Sequence, residues 1–217
     1  MHETSSVLVT NLESDMINHK YRAVFVRVAR TASTTFEKTF KDQDAEFVHV
    51  PAQDYPHDPN HLSAQHIMSA TPETKNYFKF AVVRNPYDRL VSGYRYYCVW
   101  MKRFKNPHLQ LTFSDFVHNI HEQWTTERVK YTDQHTQTRG CDYIGRYETL
   151  RHSYEHVCSR MNIAPIELVD RNRTQTHWFT PMPRKQHDNY QDYYDSDTKK
   201  LATLMNEQDL HVFEYKF

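Results

Sequence analysis

Glycine is scarce in this chain: among 217 residues it occurs three times, as Gly93, Gly140 and Gly145. The glycine-rich loops that bind nucleotide phosphates, G-x-G-x-x-G and G-x-x-x-x-G-K-[ST], are therefore missing from the sequence. Any phosphate-binding turn in this chain has to form without the backbone freedom that glycine provides.

An excess of charge is also missing, because Lys and Arg together number 27 and so do Asp and Glu. Bulk electrostatics therefore gives no reason to expect a nucleic-acid or membrane-surface partner, and a cation-lined site has to be local. Paired cysteine spacing is missing as well. Cys98, Cys141 and Cys158 are expected to be reduced, with Cys98 and Cys158 on the apolar faces of helices.

Long apolar runs are absent from the sequence. None approaches the ~20 residues that a membrane span needs, and residues 1–20 are too polar for a secretory signal. We therefore expect a cytoplasmic protein, unless an anchor has been removed from a longer chain. Residues 1–20 are expected to form a polar surface arm, and residues 21–217 a single domain with a sizeable core.

Two segments, residues 23–36 (AVFVRVARTASTTF) and 78–94 (FKFAVVRNPYDRLVSGY), carry the clearest pattern. Each begins as a short apolar run rich in β-branched residues, turns abruptly to arginine and polar residues, and continues as a helix. A helix N-terminus presents unpaired N–H groups and the positive end of the backbone dipole to an anion. Two such junctions predict a ligand with two separated anionic groups.

Short strands alternate with amphipathic helices along the rest of the sequence. Strands are expected at residues 23–28, 46–50, 78–83 and 143–145. Helices are expected at residues 33–40 and 61–70, from Pro86, at residues 112–120 and 150–161, and after Asp195 or Ser196. This alternation predicts an α/β fold with a central parallel sheet flanked by helices, and ligands of such sheets bind at the carboxyl ends of the strands.

The two segments resemble motifs of the sulfotransferases that use 3′-phosphoadenosine 5′-phosphosulfate (PAPS). Residues 83–94 (VRNPYDRLVSGY) fit the 3′-phosphate motif V-R-[ND]-P-[FY]-x-R-L-V-S-x-[YF] at every fixed position. Residues 29–34 (ARTAST) resemble the 5′-phosphosulfate loop, which typically reads Pro-Lys-Thr-Gly-Ser-Thr. The likeness is greatest to the carbohydrate branch that includes the heparan sulfate 2-O-sulfotransferases, and it implies their P-loop-like fold.

Three further segments are similar to the same branch. They are residues 61–68 (HLSAQHIM), similar to a His-led helix before the third strand, residues 142–150 (DYIGRYETL), similar to D-[FY]-I-G-R-[FY]-E-x-L, and residues 209–217 (DLHVFEYKF), similar to a closing D-x-x-x-F-x-Y-x-F.

The resemblance implies which residues bind the nucleotide. Arg84 and Ser92 are expected at the 3′-phosphate, with an ion pair of Arg84 to Glu148 or Asp88 as the alternative. Arg89 is expected to face solvent or to pair with an acidic neighbour. The 5′ end is assigned to the first loop, for which a plain Ser/Thr helix cap is the alternative; the residues are Arg30, Thr31, Ala32, Ser33, Thr34 and Thr35.

Arg184 and Lys185 lie where the family closes a loop over the nucleotide, and a solvated basic pair is the alternative. Two loop residues depart from the family pattern. Arg30 replaces the lysine; it keeps the charge but cannot donate a proton to a leaving group. Ala32 replaces the glycine, and close approach of its backbone to a ligand is expected to need a negative φ.

An acceptor hydroxyl needs a general base, for which histidine suits neutral pH. Among 15 histidines, His61 is favoured because related enzymes place a catalytic His or Glu between the second and third strands. The alternatives are His66, His57, His135, Glu37 or no protein base. No metal is expected, since the histidine pairs lack a convincing third and fourth ligand.

The expected function is sulfuryl transfer from PAPS to a hydroxyl of a saccharide, with adenosine 3′,5′-bisphosphate as the product. One alternative is a weakly active or inactive nucleotide-binding module, motivated by Arg30 and Ala32. The other is an ATP-dependent kinase, against which the missing glycines and lysine of the P-loop argue. If an anchor has been removed, the resemblance implies the Golgi lumen.

Overall fold

A mostly parallel sheet forms the centre of the molecule. The computed structural model describes residues 15–49, 61–106, 108, 110–126, 133–169 and 189–217. Within these residues one sheet has the strand order β3-β1-β2-β4-β5. Its strands are β1 (Asp15–Asn18), β2 (Ala23–Val26), β3 (Val48–His49), β4 (Phe78–Val83) and β5 (Tyr143–Arg146).

Helices flank this sheet and follow the amphipathic segments of the sequence. They are α1 (Ser33–Asp42), α2 (Ala64–Ala70), α3 (Pro86–Phe104), α4 (Phe113–Thr126), α5 (Gln134–Thr138), α6 (Leu150–Met161), α7 (Ser196–Met205) and α8 (Glu207–Val212). No described helix combines the length and the apolar character that a membrane crossing requires.

The strand pairings bring the carboxyl ends of β2 and β4 together. These strands pair in parallel, with Phe25 opposite Phe80, and β4 pairs in parallel with β5. Strand β1 is antiparallel to both β2 and β3, so the other four strands share one direction. The predicted α/β fold with a central parallel sheet flanked by helices is confirmed, with one antiparallel strand added.

Strand β1 lies within the segment that the sequence indicates as a polar arm. Met16 and Ile17 are buried, and Asn18 Nδ2 donates to Glu46 O at 2.9 Å. Only these two adjacent apolar residues enter the sheet core, so no hydrophobic periodicity marks the strand. Residues 1–14 of the arm lie outside the described residues.

Both faces of β2 and β4 are buried, which explains why β2 is continuously apolar and β4 is apolar except at Lys79. Phe25 and Phe80 stack at 4.9 Å between ring centroids and pack with α1 and α6 on one face. Val24 and Ala81 belong to a second cluster with Ile67 of α2 on the other face. The core therefore fixes the strand ends at which α1 and α3 begin.

The three cysteines are free, with Cys158 buried and the other two half-buried. Burial raises the pKa of Cys141 to about 12, so this thiol stays protonated at neutral pH. The expected solvent exposure of Arg89 is wrong. Its side chain is 0% exposed, because the first two turns of α3 are covered on nearly every side.

Gly145 of β5 lies directly against α6. A Cβ built at this position would be 2.6 Å from both Cβ and Oγ of Ser153. Ser153 Oγ accepts from Arg146 N at 2.9 Å and lies 3.1 Å from Arg146 O. The contact joins the edge of the sheet to the helix that follows it.

Candidate functional site

The loop between β2 and α1 has an unusual backbone. Arg30 and Ala32 have left-handed conformations, with φ of +66° and +69°. Thr31 between them has no positive φ, and Ser33 is helical. Successive residues that alternate between positive and negative φ can direct their N–H groups into one concavity, a nest of the kind that suits an anion.

The negative φ expected to be necessary at Ala32 is not found. The alanine adopts the conformation usual for glycine, at a cost of about 1–2 kcal/mol that the surrounding contacts offset. One such contact is the hydrogen bond from Thr31 Oγ1 to Val28 O at 2.9 Å. The loop therefore has a glycine-like shape without a glycine.

Helix α1 does not begin with a Ser/Thr cap. Its N-cap residue is Ala32, and no side chain caps the first turn. Ala32 O accepts from Thr35 N at 3.0 Å and from Phe36 N at 3.2 Å. In the described part of the chain no acceptor binds the N–H groups of Ser33 and Thr34. The alternative of a plain Ser/Thr cap is therefore wrong, and the helix N-terminus keeps donors for an anion.

Arg84 joins the two junctions. Its Nη1 donates to Arg30 O at 3.2 Å, and its Nε donates to Asp88 Oδ2 at 2.7 Å. The guanidinium carbon lies 4.0 Å from the centroid of the Tyr147 ring. The ion pair with Asp88 is thus present, but it occupies Nε and orients the guanidinium group. Within the described residues no acceptor contacts Nη2.

Glu148, the other acidic partner considered for Arg84, is used elsewhere. It accepts from Asn85 N at 2.7 Å and from the Tyr215 hydroxyl at 2.7 Å. Asn85 Nδ2 also donates to Lys216 O at 2.8 Å. The C-terminal segment therefore packs directly on the turn that carries Arg84. These contacts explain why the motifs at residues 83–94, 142–150 and 209–217 occur together in one chain.

Arg30 contacts the face of α3. Its Nε donates to Ser92 Oγ at 3.3 Å, and its guanidinium carbon lies 4.6 Å from the centroid of the Tyr96 ring. Because Arg84 contacts the Arg30 carbonyl, both arginines and Ser92 lie in one place at the carboxyl end of the sheet.

His61 has a defined tautomer. Its Nδ1 lies 2.8 Å from Arg27 O, and since a carbonyl can only accept, Nδ1 carries the proton. The neutral ring then has its lone pair on Nε2, where a general base needs it. Gln137 Nε2 also donates to His61 O at 2.6 Å, which ties the residue to α5.

The other candidate bases have different surroundings. His66 is exposed, and its Nδ1 lies 2.9 Å from the hydroxyl of Ser63, the N-cap residue of α2. Glu37 forms an ion pair with Arg27 Nε at 2.6 Å. His57, Arg184 and Lys185 lie outside the described residues.

Sequence reasoning missed Gln134 and Asp209, which support the site from behind. The Gln134 side chain accepts from Arg84 N at 3.0 Å and donates to Arg84 O at 2.9 Å. Asp209, 1% exposed, accepts from Gln134 N, His135 N and His135 Nδ1 at 2.8–2.9 Å. One indication of this role is present in the sequence: Asp209 is the first residue of the segment 209–217, which resembles the closing motif of the family.

The sequence model of the sulfotransferase family matches residues 15–216, a range that includes both arginine-bearing junctions. The chain belongs to the sulfotransferase family. It is therefore a transferase, with sulfuryl transfer as its class of reaction. A comparison with curated proteins and a comparison with solved structures found no match. In the described residues of this sulfotransferase, no group of three or more His, Cys, Asp or Glu could hold a metal ion.

The left-handed alanine gives a test of the loop geometry. Ala32→Gly is expected to raise the free energy of unfolding by about 1 kcal/mol, because glycine adopts this backbone without strain. The melting temperature should rise by roughly 2–4 °C for a domain of this size. The same substitution at Ala202, inside α7, should lower stability by about 1 kcal/mol or more. Destabilisation by Ala32→Gly would contradict the left-handed conformation of Ala32.

Proposed function

We propose that this sulfotransferase moves a sulfuryl group from PAPS to a hydroxyl of a carbohydrate. The observation that carries the proposal is the contact of Arg84 Nη1 with Arg30 O at 3.2 Å, which joins two anion-binding elements in one site. PAPS carries a phosphate at its 3′ end and a phosphosulfate at its 5′ end, so its two anionic groups fit a site of this kind.

The chain would hold the two ends of the nucleotide by different means. Arg84 and Ser92 would bind the 3′-phosphate, and the N–H groups and hydroxyls of Ser33 and Thr34 would bind the 5′ end. When bound, the nucleotide supplies a sulfuryl group activated by its phosphate leaving group. The positive end of α1 would stabilise the negative charge that builds on the departing oxygen.

His61 is the proposed base. Its Nε2 would take the proton from the acceptor hydroxyl while the hydroxyl oxygen bonds to sulfur. The bond from Nδ1 to Arg27 O keeps the ring in the necessary tautomer. Arg27 lies three positions before Arg30, which connects the histidine to the phosphate-binding loop. His66, by comparison, is exposed, and its Nδ1 contacts the hydroxyl of the α2 N-cap residue Ser63.

Two features support a saccharide acceptor. Residues 83–94 resemble the carbohydrate branch of the family, and Tyr96, which contacts Arg30, presents an exposed aromatic ring beside the site. Aromatic rings of this kind give a large apolar surface on which a sugar face can pack.

The decisive experiment measures the effect of adenosine 3′,5′-bisphosphate on thermal unfolding. At a ligand concentration of 100 Kd we expect a stabilisation of about 2.7 kcal/mol, which corresponds to roughly 5–10 °C. Arg84→Ala should weaken binding by roughly 10- to 100-fold, because it removes a charged donor to phosphate. Arg160→Ala on α6 is the control and should leave the shift unchanged.

A bisphosphate shift of undiminished size in Arg84→Ala would contradict the proposed site. Labelled sulfate transfer from PAPS to a panel of glycans then separates the enzyme from an inactive nucleotide-binding module. Displacement of the bisphosphate by ATP, together with phosphate transfer, would indicate a kinase instead.

A further inference from the structure

The side chain of Arg30 leaves its own loop. The backbone of this residue belongs to the turn before α1, but its guanidinium group lies on α3. Two contacts of different kinds fix it there: a hydrogen bond to Ser92 and a cation–π contact with Tyr96. Ser92 and Tyr96 are four positions apart on the helix and therefore share a face.

Ser92 can serve Arg30 and a phosphate at the same time. A serine hydroxyl has one donor and two acceptor lone pairs. Accepting from Arg30 Nε at 3.3 Å uses one lone pair and leaves the O–H to donate. A chain of hydrogen bonds from Arg30 through the Ser92 hydroxyl to a phosphate oxygen would be stronger than either hydrogen bond alone, because each donor polarises the next.

Arg84 reaches the same place from the other side. Its Nη1 contacts the carbonyl of Arg30 at 3.2 Å, so Arg84 lies against the backbone of the residue whose side chain contacts Ser92. The Arg30 guanidinium group therefore places a positive charge beside Ser92, whereas the start of α1 offers mainly backbone N–H groups.

We propose that Arg30 determines specificity for the 3′-phosphate of the nucleotide, together with Arg84 and Ser92. This inference rests on the proposed function and differs from the 5′ role that the loop motif implies for Arg30. The 5′ end is then bound by the N-terminus of α1, and discrimination between nucleotides with and without a 3′-phosphate depends on two arginines.

The test compares three ligands by equilibrium calorimetry: adenosine 3′,5′-bisphosphate, adenosine 3′-monophosphate and adenosine 5′-monophosphate. Arg30→Ala is expected to weaken the first two by roughly 10- to 100-fold, as loss of a charge-assisted contact does, and the third by less than about twofold. Its main-chain carbonyl, and with it the contact to Arg84, is retained. Thermal unfolding verifies that the variant is folded.

Arg22→Ala is a matched control. Arg22 also has a left-handed backbone, with φ of +50°, and it lies over a tyrosine ring, Tyr77, at 5.1 Å. It precedes β2, at the opposite end of the sheet from Arg30. This variant should bind all three ligands like the parent protein.

Three outcomes would overturn the inference. A loss confined to the two ligands with a 5′-phosphate would return Arg30 to the 5′ end, and an equal loss for all three would remove its specificity role. If the parent protein binds none of the ligands, the proposed function fails and this inference falls with it. The first two outcomes require normal binding by the parent protein, so the failures are distinguishable.

A double variant tests the contact through Ser92. If Arg30 acts partly through the serine hydroxyl, Arg30→Ala and Ser92→Ala together should weaken the bisphosphate by less than the product of the two single effects. A full product would contradict the connection through Ser92.

Discussion

His61→Asn is expected to lower the turnover number of sulfuryl transfer by about 10²–10⁴-fold, the usual loss when a general base is removed. The asparagine amide can replace Nδ1 as donor to Arg27 O, a bond of 2.8 Å in the parent protein, but it has nothing in place of Nε2. The Kd of adenosine 3′,5′-bisphosphate should therefore stay within about twofold. Initial rates with labelled PAPS measure the effect, and the acidic limb of the pH profile should disappear.

The same substitution at two other histidines gives the controls. His66→Asn should change turnover by less than about fivefold, because His66 is exposed and contacts the α2 cap. His135→Asn keeps a donor for Asp209 and should also retain most of the rate. A large loss in either control, with His61→Asn active, would move the base to that residue.

Asp209→Ala is expected to lower the free energy of unfolding by about 3–5 kcal/mol, the range for removing one partner of a buried charged contact. The substitution leaves the N–H groups of Gln134 and His135 without their acceptor, and Gln134 is 0% exposed. Helix α5 has only five residues, too few to be stable without such a cap. Urea unfolding measures the loss.

In this variant, binding of adenosine 3′,5′-bisphosphate at the proposed site should weaken together with the stability of the fold. Gln134 bonds both the N–H and the carbonyl of Arg84, so displacement of α5 releases the arginine. Glu207→Ala, at an exposed residue in the same turn of α8, is the matched control and should change the free energy of unfolding by no more than about 0.5 kcal/mol. Equal stability of the two variants would show that Asp209 does not support α5.

The parts of the fold that depend on local chemistry could be predicted from the sequence. Strand β4 has the predicted bounds because five of its six residues are buried and all but Lys79 are apolar, and Pro86 begins α3 as expected. Strand β1 could not be predicted, since its pairing with β2 and β3 is tertiary and only Met16 and Ile17 mark it.

In the candidate site, too, the sequence predicts the local features but not the long-range contacts. The sequence identifies Arg84 and the loop around Arg30 by their position after a strand, but not where the side chains go. The contact of Arg30 with Ser92 spans 62 positions, and that of Gln134 with Asp209 spans 75. The intrinsic preference of alanine for a negative φ also gives the wrong prediction at Ala32, because the packing of the loop outweighs the cost of its positive φ.

The close approach of Gly145 to Ser153 limits how this chain can diverge. A side chain at position 145 has no room while position 153 keeps its hydroxymethyl group. Removing that group would give up the bonds between Ser153 and the backbone of Arg146. A larger residue at position 145 therefore requires a change at position 153 as well, so this glycine is needed for space rather than for flexibility.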